Sequence, residues 1–493
     1  MKLLEFYASN FRSIGNIRLG NIENTNIVLG YNGYGKSNLL TSIYTFIRNL
    51  NAGIERKGIE DTRQEYILLW YGYDSSKPIK LGGKIYFDEN DSERVLGKKE
   101  RFVIEITNNV SYNNGYIEWS LDTLLINNSP PTRESLEDTK KLLSYASSKV
   151  EYVPIFDQTY FEELLKAMNS FSNSPINLKK KWYEFSNLIS SIVPEIKGIE
   201  FWDSRRLVLN VYNLPIYIDL AASGFQRVIL LLFTVWLSNG KILLLEEPEV
   251  NMHPILQVKI MKLLREWASN NFIQIFISTH SPYIIKHADN FIILKREKES
   301  TNAIEVPVTA ELKTLLAALN VNLDELLFSK IIMLVNDLVE PNAILNWLER
   351  IGISPEENGI KAYKIQSDYE LLNWLKLRDK LGFNLIFVGL CDKLGINDKE
   401  ICVPFNRDLE SYYNKNELLE VLKSLGVYPD EKELKELYRD DTYRWLSNVL
   451  KKRGLEFEKM RSTLSTLVTA RDTLEVPKEI EILANKIKAL AQI

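Results

Sequence analysis

Gly30-Tyr-Asn-Gly-Tyr-Gly-Lys-Ser37 follows the apolar run Asn26-Ile-Val-Leu29 and leads into a helical pattern from Lys36 to about Asn49. Its spacing is G-x-x-x-x-G-K-[ST], a phosphate-binding loop whose glycines let successive backbone N–H groups curl around an anionic oxygen. Asn32, Gly33, Gly35, Lys36, Ser37 and Asn38 are the candidate nucleotide contacts. Lys36 would place a point charge at the β- and γ-phosphates, and the Ser37 hydroxyl would ligate Mg²⁺. Strand, loop and helix in that order are the context such a match requires.

Two later segments belong with this loop. Lys241-Ile-Leu-Leu-Leu-Glu-Glu-Pro248 reads as a buried strand ending in two carboxylates. Successive strand residues point to opposite faces, so Glu246 and Glu247 take different tasks. Glu246 is expected at the metal, and Glu247 at the water that attacks the γ-phosphate. Ala222-Ser-Gly-Phe-Gln-Arg227 opens the apolar helix pattern Arg227 to Leu237, and free N–H groups at a helix start suit an anion. Ser223, Gly224 and Gln226 are therefore further candidate nucleotide contacts. The three segments together point to an ATPase that uses ATP and Mg²⁺.

The bulk properties set limits around this. At 493 residues the chain holds several structural units, and its 45% hydrophobic and 26% charged composition is that of a globular protein. A net charge of −4 gives no global attraction to nucleic acid or anionic membrane. Cys391 and Cys402 form no disulfide framework and no C-x-x-C pair, which suits a reducing cytosol. The N-terminal residues interrupt any signal-peptide core with Glu5 and Asn10. The longest apolar stretch, Val228 to Leu237, is far short of the roughly 20 residues that span a bilayer. A cytoplasmic location without a membrane partner is the expectation.

Along the chain, Leu3 to Ser9 and Ile14 to Leu19 alternate like half-buried strands, and residues 66–125 read as antiparallel strands extending the nucleotide lobe. Residues 133–195 change to helical spacing between prolines, as a helical insertion between two halves of one core. The core is expected to resume with strands at Arg206–Val211 and Ile216–Asp219 and to end near residue 300. Beyond it, strands at Lys330–Val335, Asn384–Leu390 and Ile401–Pro404 alternate with helices at Pro341–Arg350 and Tyr369–Lys380, a small parallel α/β sheet. A charged, helix-rich tail runs from Asn416 to Ile493.

These segments resemble the ABC-type ATPase heads of the SMC/RecF-like group and, more narrowly, the OLD (overcoming-lysogenization-defect) family. The resemblance rests on Asn10-Phe-Arg-Ser13 before the P-loop, on Glu246-Glu-Pro-Glu-Val-Asn-Met-His-Pro254, and on Ile275-Phe-Ile-Ser-Thr-His-Ser-Pro282. It covers residues 1–50 and 215–295 with specific motifs. It implies an ABC-type P-loop head over 1–300, with the helical insertion at about 130–200, then a Toprim-like α/β domain over 325–412 and a helical region over 413–493. It further implies His280 as a switch histidine at the γ-phosphate and His253 as part of the D-loop. Gln64 becomes the candidate for a glutamine at the metal–water network, whereas Tyr34 departs from the small residue common at its place. Two heads would sandwich ATP as a homodimer, each lending Ser223 to the other's Lys36, with DNA or an unidentified protein as partner.

A Toprim-like nuclease centre needs clustered oxygen ligands for Mg²⁺. Here Asn336 and Leu394 stand where the family carries acids, leaving Asp392 and Glu410, with Glu340 and Asp337 nearby. A degenerate nuclease site is the expectation. The rival readings are an ATP-regulated endonuclease using those four acids, and an ATP-gated scaffold with slow hydrolysis. Lys179-Lys-Lys181 with Trp182 and Tyr183 is the candidate DNA patch.

Overall fold

The computed structural model describes residues 1–60, 69–113, 115–155, 158–172, 176–202, 206–237, 242–271, 273–297, 300–336, 339–393, 401–405, 407–439, 441–471 and 476–491. The chain divides into two compact α/β units, Met1–Val308 and Thr309–Ile493.

Among the described residues, the first unit is organised by a sheet of twelve strands. One flank is parallel: Val150–Val153, Ile242–Glu246, Gln274–Ser278, Thr25–Leu29 and Asn290–Glu297 lie side by side in that order. Parallel strands covered on both faces read as unbroken apolar runs, and every residue of Thr25–Leu29, Ile242–Glu246 and Gln274–Ser278 is buried. The other flank is antiparallel, from Ile14–Leu19 through Lys2–Phe11, Ile79–Phe87, Phe102–Asn113 and Tyr116–Ile126 to Gly58–Glu60. The P-loop helix Lys36–Arg48 buries Leu39, Leu40, Ile43, Phe46 and Ile47 in the core formed with both flanks. The loop before that helix therefore opens at the carboxyl ends of the parallel strands, where open α/β sheets bind ligands.

Three expectations change. The region about 130–200 is not one helical insertion. Helix Arg133–Ser147 packs on the P-loop helix, and Val150–Val153 is an edge strand of the main sheet paired with Ile242–Leu245. Four residues between helices carry too little periodicity to announce a strand. Only Gln158–Ser172 and Ile176–Ile192 remain as consecutive helices there. The strands Arg206–Val211 and Leu214–Tyr217 do not rejoin the core sheet but form a separate antiparallel sheet with Ile196–Trp202. Finally, Ser300–Pro307 pairs along its whole length with Asn290–Glu297 and lies between that strand and Ile14–Leu19, so the first unit runs on to Val308.

The second unit has a four-stranded parallel sheet in the order Ile360–Lys364, Ile331–Val335, Asn384–Val388, Cys402–Val403. The helical tail is not a separate layer of its own. Val421, Trp445, Leu464 and Leu483 share one core with Ile331, Met333 and Ile386 of the sheet. Cys391 and Cys402 are joined by a disulfide, with Cα atoms 5.6 Å apart. Parallel pairing of Phe387 with Cys402 brings the turn after Val388 back over the edge strand, so the cysteines no longer argue for a reducing compartment. No described helix is long and apolar enough to cross a membrane.

Candidate functional site

The P-loop closes tightly on the N-terminal segment. Gly35 has φ +90°, and a Cβ there would lie 2.6 Å from Ser13 Oγ and 3.0 Å from Thr301 Oγ1, so both conformation and space demand glycine. Ser13 Oγ accepts from Asn38 Nδ2 at 2.8 Å, which ties the Asn10–Ser13 segment to the helix start. Asn32 and Gly33 form the exposed tip of the loop. Tyr34 sits half-buried, edge-on to Tyr31 with centroids 5.4 Å apart, and packs on the core beneath.

Five predicted residues converge at the strand ends. Lys36 is 7% exposed, and its ammonium donates to the Gly30 carbonyl at 2.9 Å and to His280 Nε2 at 2.6 Å. An ammonium only donates, so Nε2 is the acceptor and the imidazole is neutral with its proton on Nδ1. Burial first, then the Lys36 charge, hold His280 below its ordinary pKa. Burial also lowers the Lys36 pKa, opposed by Glu247, Glu249 and Glu246. The Ser37 hydroxyl donates to Glu246 Oε1, and Tyr152 donates to Glu246 Oε2 at 2.7 Å. Burial and the Glu246 carboxylate push the Tyr152 phenol well up, so it stays a donor. Glu247 leaves the strand at φ +40°, an uncommon conformation for a side-chain-bearing residue. Its amide donates to the Ser278 carbonyl at 2.9 Å, and Oε1 lies 4.0 Å from His280 Nε2. Glu246 thus faces the Ser37 hydroxyl, whereas Glu247 faces the histidine.

Three supporting residues escaped the sequence. Tyr152, on the unforeseen edge strand, fixes the free oxygen of Glu246. Arg227 donates to the Pro154 carbonyl at 2.7 Å and to the Glu246 backbone carbonyl at 2.9 Å, tying helix Ser223–Leu237 to the carboxylate strand. Glu249 Oε1 accepts from Thr279 Oγ1 at 2.6 Å and from the His280 amide at 3.0 Å. Glu249 therefore holds the backbone that aims His280. Its signal was present as the third acid of Glu246-Glu-Pro-Glu249.

Ser223, Gly224 and Gln226 occupy a different turn. Ser223 is exposed at the helix start, and a Cβ on Gly224 would lie 2.6 Å from the Asn251 carbonyl oxygen, so the backbone at Asn251 packs directly on this turn. Gln226 Nε2 donates to the carbonyls of Ile218 and Ala221 at 2.8 and 3.1 Å. Its amide braces the turn rather than facing a phosphate. His253 accepts weakly from the Ile255 amide at the start of helix Pro254–Asn271, and His287 is half-buried. Gln64 lies outside the described residues.

The second-unit acids do not gather. Glu410, expected as a metal ligand beside Asp392, is 1% exposed and engaged by Arg461 Nε at 2.7 Å and Nη2 at 3.2 Å. Both oxygens are thus committed to a guanidinium. Glu340 receives Lys364 Nζ at 3.0 Å, and Asp392 is exposed. Asn336 Nδ2 donates to the Gly389 carbonyl at 2.9 Å, whereas Asp337 and Leu394 lie outside the described residues. Among the described residues, no group of three or more His, Cys, Asp or Glu is arranged to hold a metal. In the candidate DNA patch, Lys179, Lys180 and Lys181 are exposed, but Trp182 is buried against Phe185 and Phe201 and cannot stack on a base.

Comparison with known proteins gives a coarser placement. The AAA ATPase domain family matches residues 103–285, a span that includes the turn at Ser223, both carboxylates and His280 but begins beyond the P-loop. An ATP/GTP phosphatase of Helicobacter pylori is 20% identical over 340 residues, 59% of this chain and 87% of that protein. Endonuclease GajA of Bacillus cereus is 22% identical over 415 residues, 73% of this chain and 70% of that protein. A solved Smc head domain with an extended coiled coil, bound to the C-terminal domain of ScpA and derived from Pyrococcus furiosus, aligns with a TM-score of 0.43 and 15% identity over 64% of this chain and 99% of that one. The match to the AAA ATPase domain family thus lies within the first unit.

Proposed function

We propose that the first unit binds Mg-ATP at the P-loop and hydrolyses it, with Glu247 as the group that orients and polarises the attacking water. The observation that carries this reading is the convergence of Lys36, Ser37, Glu246, Glu247 and His280 at the carboxyl ends of the parallel strands. Ser37 and Glu246 present hard oxygen donors side by side, which fits Mg²⁺. The ion would neutralise charge on the β- and γ-phosphates. Tyr152 keeps the second Glu246 oxygen occupied, so one oxygen remains for the metal or its water. Lys36 supplies a fixed cation from a nearly buried position, where its charge is weakly screened. His280, its backbone held by Glu249, can donate to the terminal phosphate once Lys36 turns to the phosphates and Nε2 carries the imidazole proton. Glu247 stands 4.0 Å away with a carboxylate free to accept from water.

The exposed Ser223 at a helix N-terminus supports a second element of the reading: it serves the P-loop of another copy in an ATP-sandwiched homodimer. Mixing separates shared from private sites. Lys36→Ala and Ser223→Arg should each be inactive, while an equimolar mixture should regain about a quarter of wild-type turnover, because half of randomly exchanged dimers hold one intact site of two. No recovery in a mixture shown to form heterodimers would refute the sharing.

DNA, or a partner that processes DNA, is the proposed object of this ATPase, within an OLD-like architecture whose second unit is Toprim-like. The similarity to Endonuclease GajA supports that direction. It covers 73% of this chain, about 360 of 493 residues, more than the 308 of the first unit, so it reaches into the second. The same observation favours a second reading, ATP-regulated endonuclease, against which the Glu410–Arg461 pair speaks. Incubating supercoiled plasmid with protein, ATP and Mg²⁺ or Mn²⁺ decides between them. Intact plasmid is expected, and nicking abolished by Asp392→Ala would establish the endonuclease.

A further inference from the structure

We propose that Cys391 and Cys402 form a reversible thiol–disulfide site that clamps the outer edge of the second unit's sheet. They are the chain's entire cysteine content, and the structure joins them across 11 residues of sequence. The edge strand Cys402–Val403 is only two residues long and pairs with Asn384–Val388 through Phe387–Cys402 and Val388–Val403. One further backbone bond joins the Gly389 amide to the Val403 carbonyl at 2.8 Å. A two-residue edge has little ladder of its own, so a covalent tether at this place changes how firmly the edge is held. The tether runs to the turn Cys391–Lys393, which carries Asp392.

Accessibility assigns the sulfurs different tasks. Cys402 is 5% exposed, whereas Cys391 is half-buried and followed by the exposed Asp392 and Lys393. Exchange therefore takes place at Cys391, since a disulfide sulfur must be reached by the attacking thiolate. For closure, the Cys391 thiolate attacks a disulfide of a small thiol, such as oxidised glutathione. It forms the mixed disulfide and releases one thiolate. The Cys402 thiolate then attacks the Cys391 sulfur, the ring closes, and the second thiolate leaves. Two electrons pass from the protein to the oxidant, and the two protons of the cysteine thiols end on the released thiols. Opening is the reverse, with a dithiol or glutathione as reductant.

The test uses the full chain, equilibrated in glutathione buffers of graded reduced-to-oxidised ratio, quenched with an alkylating agent and weighed intact. The expected result is a shift of two labels per chain, passing through the glutathione range, with a species carrying one label and one glutathione only transiently. Hydrogen exchange over residues 384–403 should be faster in the reduced than in the oxidised form, with the P-loop helix unchanged. Cys402→Ser should retain one reactive thiol and exchange over 384–403 like the reduced wild type. Two labels at every ratio would show that the pair does not close. No labels in excess dithiothreitol without denaturant would show a permanent bond. Equal exchange in both forms would show that the bond clamps nothing. Any of these three outcomes overturns the proposal.

Discussion

The two units of this molecule treat their charged residues in opposite ways. At the carboxyl ends of the large sheet's parallel strands, Lys36, Ser37, Glu246, Glu247 and His280 are held close to one another. In the second unit, the acids singled out as ligands and described by the structure each have a partner or lie in water: Glu410 lies against Arg461, Glu340 against Lys364, and Asp392 is exposed. The first arrangement stores polar groups that a polyanion and a cation can replace. The second pairs Glu410 and Glu340 with cations, and among its described residues no group of three or more His, Cys, Asp or Glu is arranged to hold a metal. Parallel strands by themselves therefore do not imply the same chemistry, because the function lies in which counter-charges the surrounding elements deliver.

The largest expected effect that can break this contrast is at Arg461. Arg461→Met strands a buried Glu410 carboxylate and should lower unfolding stability by about 3–5 kcal/mol, measured by urea titration, with ATP turnover by the folded fraction unchanged. The double variant Glu410→Leu with Arg461→Met should recover most of that loss. If millimolar Mg²⁺ alone restored the single variant, Glu410 would be acting as a ligand and the contrast would fail.

A smaller effect sharpens the other side. Tyr152→Phe removes a hydrogen bond to a charged oxygen, a loss of about 1.5–3 kcal/mol. It should appear as a roughly ten-fold or greater rise in the Mg²⁺ needed for half-maximal turnover, with nucleotide affinity in the absence of metal unchanged. An unaltered metal requirement would detach Tyr152 from the site.

The smallest effect concerns pH. His280 has a folded pKa below its unfolded value, so the unfolded chain takes up the proton first. Its contribution is present above about pH 6.5 and is lost as pH falls below that value. His287 shifts the same way, through burial and then Arg265 and Lys262. Melting curves between pH 7.5 and 5.5 should fall less steeply for His280→Gln than for wild type. A steeper fall would reverse the sign argued here.

The contrast also explains what could be read from the chain beforehand. The phosphate loop, the Glu246-Glu247 strand end and the Pro341–Arg350 helix announce themselves through local spacing, because each is built by neighbours in sequence. What escaped depends on distant partners. The Val150–Val153 strand exists because Ile242–Leu245 pairs with it, and Tyr152 reaches Glu246 across 94 residues. Glu410 meets Arg461 across 51 residues, and nothing around Asn406-Arg-Asp-Leu-Glu410 signals that a guanidinium will arrive. Gln226 looked like a phosphate contact by position, yet the carbonyls of its own preceding turn are nearer donors' targets. The disulfide likewise depends on strand order, which spacing does not encode.

The central claim is that the site at the large sheet's strand ends hydrolyses ATP through Glu247. Its most direct measurement is phosphate release and equilibrium Mg-ATP binding, made side by side on wild type and Glu247→Gln. The amide preserves shape and loses the carboxylate's hold on water, so turnover should drop roughly 10²- to 10⁴-fold while Mg-ATP remains bound at least as tightly as in wild type. Undiminished phosphate release from Glu247→Gln would contradict the account.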